Sequence, residues 1–137
     1  MTLESVINKL RSLNEKVPKP LRKPTTEEIE LVEDKIGRKL HPDLKFYLLE
    51  ASDITFGALE PVIAVNSDPR VYLPNVANEA WDYGVPKDLT PICEDNADYF
   101  CLNIDGEVVF WSQDGITDEK WEDLATWIHD VWIGENM

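Results

Sequence analysis

The chain has 137 residues, 13 Lys+Arg against 27 Asp+Glu, and a net charge of −14, so it has the length of one domain and the wrong sign for gripping a phosphate backbone. An anionic membrane surface would repel it for the same reason. Its 43% hydrophobic residues and five Trp exclude a disordered acidic tail, and a fold of this mass buries roughly 68% of its unfolded surface, enough for one core without staples.

Leu3, Val6, Ile7, Leu10 and Leu13 recur at helical spacing and predict an amphipathic helix over residues 1–17. Residues 18–24, with three prolines and three basic side chains, read as an extended connector to a core over 25–133, all within a single domain. Thr25 and Glu28 form a capping-box pair that opens a second helix with Ile29, Val32 and Ile36 on its buried stripe; Gly37 is its stop. His41 caps a third helix, Pro42 fits its first position, and Leu44, Tyr47, Leu48 and Ala51 share one side. The runs Ile54-Thr55-Phe56 and Leu59 to Val65 have β texture, and a short helix is expected from Val76 to Tyr83, closed by Gly84.

Tyr99 to Trp111 reads as a hairpin folded at Asp105-Gly106, the preferred pair for a type I′ turn. A two-residue turn there places Leu102 opposite Val109 and Phe100 opposite Trp111, with apolar residues on both faces and packing expected on each. The last helix carries Trp121, Leu124, Ala125, Ile128, Val131 and Trp132 on one stripe and ends at Gly134. The fold class expected is α+β, a mostly antiparallel sheet with N-terminal helices and a C-terminal helix packed against it.

The acidity is local. Residues 1–45 hold 10 basic and 8 acidic side chains, net +2, whereas residues 46–137 hold 3 basic and 19 acidic, net −16. Glu94, Asp95 and Asp98 form the densest acidic loop, and Asp114, Asp118 and Asp130 extend the field. Trp111, Trp121 and Trp132 sit where a core wants them. Trp127 falls about 40° outside the edge set by Val131 on an ideal helix, beside acids, which suits an anchor for a basic partner. The candidate contact residues are therefore Trp127, Asp130, Glu94, Asp95, Asp98, Asp114 and Asp118.

Catalytic and metal signatures are missing from the sequence. His41 and His129 lack a nucleophile motif around them, and no phosphate-binding glycine loop, HExxH or calcium loop occurs. Cys93 and Cys101 have no finger or ribbon spacing, so reduced, buried thiols and no cofactor are expected, with a strand-to-strand disulfide between them left open. Glu4, Lys9 and Arg11 interrupt any signal-type apolar run, and no run approaches a membrane span, so a cytoplasmic location is expected.

Ile36-Gly37-Arg38-Lys39-Leu40-His41-Pro42-Asp43-Leu44-Lys45-Phe46-Tyr47-Leu48 resembles the glycine, Leu-Pro and D-x-K-x-F/Y-L signature of the SUKH superfamily, named partly for the yeast Smi/Knr cell-wall regulators. Pro91-Ile92-Cys93 with Asp98 to Leu102 is similar to its P-I-A…G-D-Y-x-x-L-D segment, and Gly106 to Trp111 to its G-x-V-x-x-W strand. The resemblance implies an α+β Smi/Knr-like fold. It also implies a cytoplasmic immunity protein, a monomer or weak dimer without catalysis, that binds and occludes a toxin domain, often a nuclease. Charge makes a basic toxin domain the expected partner, with neither nucleic acid nor membrane. Two other readings stay open: a regulatory scaffold for a non-toxin partner, and a hydrolase built on two facing carboxylates.

Overall fold

A computed structural model describes residues 1–136. The N-terminal half is helical because its caps are local and complete. In α1 (Leu3–Ser12) the Thr2 side chain accepts from the Ser5 N–H, and Val6, Ile7 and Leu10 are buried. This helix stops five residues short of the expected 1–17 span, and the chain turns away at Leu13. In α2 (Thr26–Ile36) the Thr25 hydroxyl and Glu28 carboxylate cap reciprocally, and Gly37 ends the helix at φ +75°. The α3 helix (Pro42–Ala51) has His41 Nδ1 accepting from the Asp43 N–H at 3.1 Å and buries Leu44, Tyr47, Leu48 and Ala51.

Residues 54–65 form no strand. They contribute only isolated bridges, Pro61 to Cys93 and Ile63 to Tyr72, although Ile54, Phe56 and Val62 to Val65 are buried. Their apolar texture reflects a loop threaded through the core. The α4 helix (Leu73–Tyr83) starts one turn earlier than expected, with Pro74 in its first turn, and Gly84 closes it at φ +111°.

The sheet is antiparallel in the order β1 (Thr90–Asp95), β2 (Asp98–Leu102), β3 (Val108–Ser112), β4 (Gly115–Trp121). The β2–β3 register is one residue away from the expected one: Phe100 faces Phe110, and Tyr99 faces Trp111. Asn103 causes the slip. Its side-chain oxygen accepts from the N–H groups of Asp105 and Glu107, and its own N–H donates to the Glu107 carbonyl. The loop therefore holds three residues, with Gly106 at φ +86°, instead of a two-residue primed turn. The turn with two positive φ values is instead Asn96-Ala97, at 53° and 70°, joining β1 to β2.

Both faces of the hairpin are covered, as expected. Phe100 packs on Trp127 of the C-terminal helix at 5.3 Å between ring centroids, while the Tyr99 hydroxyl donates to Glu79 of α4 at 3.0 Å. β4 was not anticipated. It takes Trp121, expected on the last helix, into a strand where the ring lies 5.7 Å from Phe100. On the outer edge of the sheet it exposes Ile116, Asp118, Glu119 and Lys120.

The C-terminal helix begins at Leu124, capped by Asp123, as α5 (Leu124–Trp127), and widens to a π-helix over Ile128–Ile133. Ile128 and Ile133, at the two ends of this wider turn, are both buried, at 0% and 1% exposure. The Trp132 indole N–H donates to the Phe56 carbonyl at 2.9 Å and pins this segment to the loop beneath it.

Candidate functional site

Strand order fixes where the acids meet. β1 to β2 and β3 to β4 turn at the same end of the sheet, because β2 and β3 are adjacent and antiparallel. Glu94, Asp95 and Asp98 flank the first turn and Asp114 lies in the second, so four of the seven candidate residues share one end. Glu94 and Asp114 are exposed, and Asp95 and Asp98 are half-buried.

Local bonds shape this end without neutralising it. The Glu94 carboxylate accepts from the Ala97 N–H at 2.9 Å and holds the turn. Asp95 and Asp98 are directly paired across the strands, a like-charge contact that costs stability. Among the described residues no Lys or Arg forms an ion pair with Glu94, Asp95, Asp98 or Asp114. The nearby Arg70 lines a hollow of about 180 Å³ with Glu60, Glu94 and Asp95, but its guanidinium is engaged by Glu60 and Asp68. Glu60 lines that hollow, and Asp68 reaches it only through Arg70. They lie 26 or more residues upstream of Glu94, and no local motif marked them.

The field reaches inward. Burial chiefly, then the charges of Asp95 and Glu94, push the Cys93 thiol up to about 12. Burial alone does the same at Cys101, also to about 12. Both thiols are free and protonated at neutral pH.

The other candidates lie apart. Asp118 is exposed on the β4 edge, and Asp130 is exposed on the C-terminal helix, where it contacts the His129 ring at 2.8 Å. Trp127 is no surface anchor: it is 1% exposed, 5.3 Å from Phe100 and 6.5 Å from Trp132. Trp127 stands three residues after Leu124 and four before Val131, at the edge of the buried stripe, and the sheet closes over that edge through Phe100. Among the described residues its indole N–H has no hydrogen-bond partner.

A buried acid that sequence reasoning passed over is Glu33, 7% exposed on α2. It accepts from the Leu40 N–H at 2.9 Å and fixes the loop between α2 and α3. Its spacing within the apolar stripe (one residue after Val32, three before Ile36) was the available signal. No group of three or more His, Cys, Asp or Glu among the described residues is placed to hold a metal ion. No helix there is long and apolar enough to cross a membrane.

Frame and turns define the class: a small α+β domain presenting an acidic surface at one end of an antiparallel sheet. The chain belongs to the SUKH_5 family, described as SMI1-KNR4 cell-wall, whose model matches residues 3–133. It is similar to a protein from Pseudomonas syringae pv. tomato known by crystal structure, with 41% identity and a TM-score of 0.91. That likeness covers 96% of this chain and 98% of the other. A comparison with curated proteins gave no match.

Proposed function

We propose that the chain is a cytoplasmic immunity protein that docks its acidic sheet end onto a basic toxin domain and covers that domain's working surface, with no catalysis of its own. The observation that carries this reading is the set Glu94, Asp95, Asp98 and Asp114, gathered by two turns and, among the described residues, without an ion pair to Lys or Arg. Such a field speeds encounter with a cationic surface and competes with the phosphates a nuclease would grip. Asp118 and Asp130 extend the field at its margins.

The test is rescue of growth when a toxin domain from the same locus is expressed with and without this protein. Binding is then measured by calorimetry for the wild type and for a variant with Asp95, Asp98 and Asp114 changed to Lys. Rescue by the wild type, with affinity that falls at least tenfold in the variant and with rising salt, supports the reading. Rescue that survives the charge reversal refutes the electrostatic mechanism.

The family description favours a second reading, a regulatory scaffold for a cell-wall pathway protein. It predicts a stable partner and no growth rescue. The hydrolase reading needs a carboxyl group held above its ordinary range. Glu28 and Glu107 are moved the other way, by Arg22 and Lys120 respectively.

A further inference from the structure

At the opposite end of the sheet basic side chains outnumber acids along one groove. The groove, of about 720 Å³, opens there between the α2–α3 loop, the α4–β1 loop and the β2–β3 turn, a size usual for ligand and peptide sites. Leu40, Leu44 and Leu102 form part of its lining. Arg38, Lys39 and Lys87 line it with one acid, Asp88, in a chain of net charge −14, and an exposed Asp105 follows Ile104 on the neighbouring turn. Lys39 is 88% exposed, with Glu33 at 3.7 Å, and among the described residues Lys87 has no ion pair. Arg38 lies over the Trp81 ring at 4.6 Å, which presets its guanidinium.

The groove also carries an unpartnered apolar side chain. Ile104 lines it and is 83% exposed, the highest value among the exposed large hydrophobic residues. Its walls are fixed in advance. Glu33 holds the Leu40 N–H, His41 caps α3, and Gly106 lets the β2–β3 turn close on His41, where an added Cβ would meet the ring at 2.7 Å. A preformed wall lowers the ordering cost of binding.

We infer that this groove docks an extended acidic segment of a partner protein, with an apolar side chain of that segment covering Ile104. An inorganic anion would satisfy the cations but leave Ile104 and the apolar lining without a role. A basic protein surface is repelled locally. The chain's overall charge opposes an acidic segment at long range, and salt with a Debye length near 8 Å screens that repulsion more than the contacts in the groove. Binding here should therefore change little with salt, unlike binding at the acidic end, and it does not depend on the toxin reading.

The test uses the whole chain and an acetylated, amidated octapeptide of six acidic residues and two leucines, followed by backbone amide NMR at 150 mM salt. Saturable shifts are expected at Gly37 to Leu40, Lys87 to Thr90 and Asn103 to Gly106. The Lys39→Glu/Lys87→Glu double variant should bind at least fivefold more weakly and Ile104→Ser at least threefold; all three side chains are exposed, so the fold is kept. The idea is overturned if no shifts occur, if they fall at residues 94–98, or if the charge reversal leaves affinity unchanged. It is equally overturned if a lysine-for-acid version of the peptide moves the same amides, if pyrophosphate alone displaces the peptide, or if those amides shift with protein concentration without peptide, which would make a second copy the occupant.

Discussion

Replacing Glu33 tests whether a buried carboxylate holds the loop between α2 and α3. At 7% exposure it accepts from the Leu40 N–H at 2.9 Å, and Leu40 is itself 8% exposed. A hydrogen bond to a charged acceptor contributes about 1.5–3 kcal/mol, and losing it strands a buried donor. The side-chain stem adds about 1 kcal/mol of burial, and the better helix propensity of alanine returns about half of that. Glu33→Ala should therefore cost about 2–3.5 kcal/mol. Glu33→Gln keeps an acceptor for Leu40 and should cost less than about 1 kcal/mol. Lys39→Ala should cost less than about 0.5 kcal/mol, because its ammonium is 88% exposed. Urea unfolding read by the fluorescence of the buried Trp127 and Trp132 measures all three with an unchanged m-value. For a chain of this size the alanine variant should melt about 7–12 °C lower. The reasoning fails if alanine costs less than about 0.5 kcal/mol, or if glutamine costs as much as alanine.

Ala97 sits at φ +70°, where a Cβ is strained, so Ala97→Gly should stabilise the chain by about 0.5–1 kcal/mol in urea unfolding, and Ala97→Val should do the reverse. Trp132→Phe loses the bond to the Phe56 carbonyl, whereas Trp127→Phe removes a donor that has no partner; the first should cost about 1 kcal/mol more than the second. Equal losses would contradict the bonding pattern. Cys93 and Cys101, each pushed up to about 12, should resist Ellman's reagent at pH 8 until urea unfolds the chain. The two-pronged Arg22 contact, then the Thr25 N–H, hold Glu28 down at about 2, against an ordinary 4.5. A depressed carboxylate favours the fold above its unfolded value and loses that contribution as pH falls from 4.5 toward 2. Arg22→Ala should accordingly move the acid-unfolding midpoint to higher pH in circular dichroism.

The N-terminal helices were legible because their determinants lie within four residues of each boundary. Thr25 with Glu28, Gly37, and His41 with Pro42 each settle a helix end by local bonds or backbone freedom. β4 was not legible: Thr117, Asp118, Glu119 and Lys120 have no apolar alternation, and they are extended because β3 offers a ladder. One side chain, Asn103, overrode the turn preference of Asp105-Gly106 and moved the β3 pairing by a residue. The acids were visible one by one. Their gathering was not, since Asp114 joins Glu94, Asp95 and Asp98 only through strand order. Trp127 is buried for a similar reason: its place at the edge of the helix stripe says nothing of what the sheet brings over it, and Phe100 of β2 covers the ring.

The rims of the sheet bear on how it can be used. At the β1 rim, Pro61 bridges to Cys93 and the Val62 N–H donates to the Ile92 carbonyl, so that side is partly occupied. At the β4 rim a newcomer strand would have to lie against Asp118, Glu119 and Lys120, beside an irregular register near Val109 and Trp111. Neighbouring molecules are thereby discouraged from zipping backbone to backbone. Growth of the sheet from copy to copy therefore meets charged side chains at one rim and a bridged segment at the other.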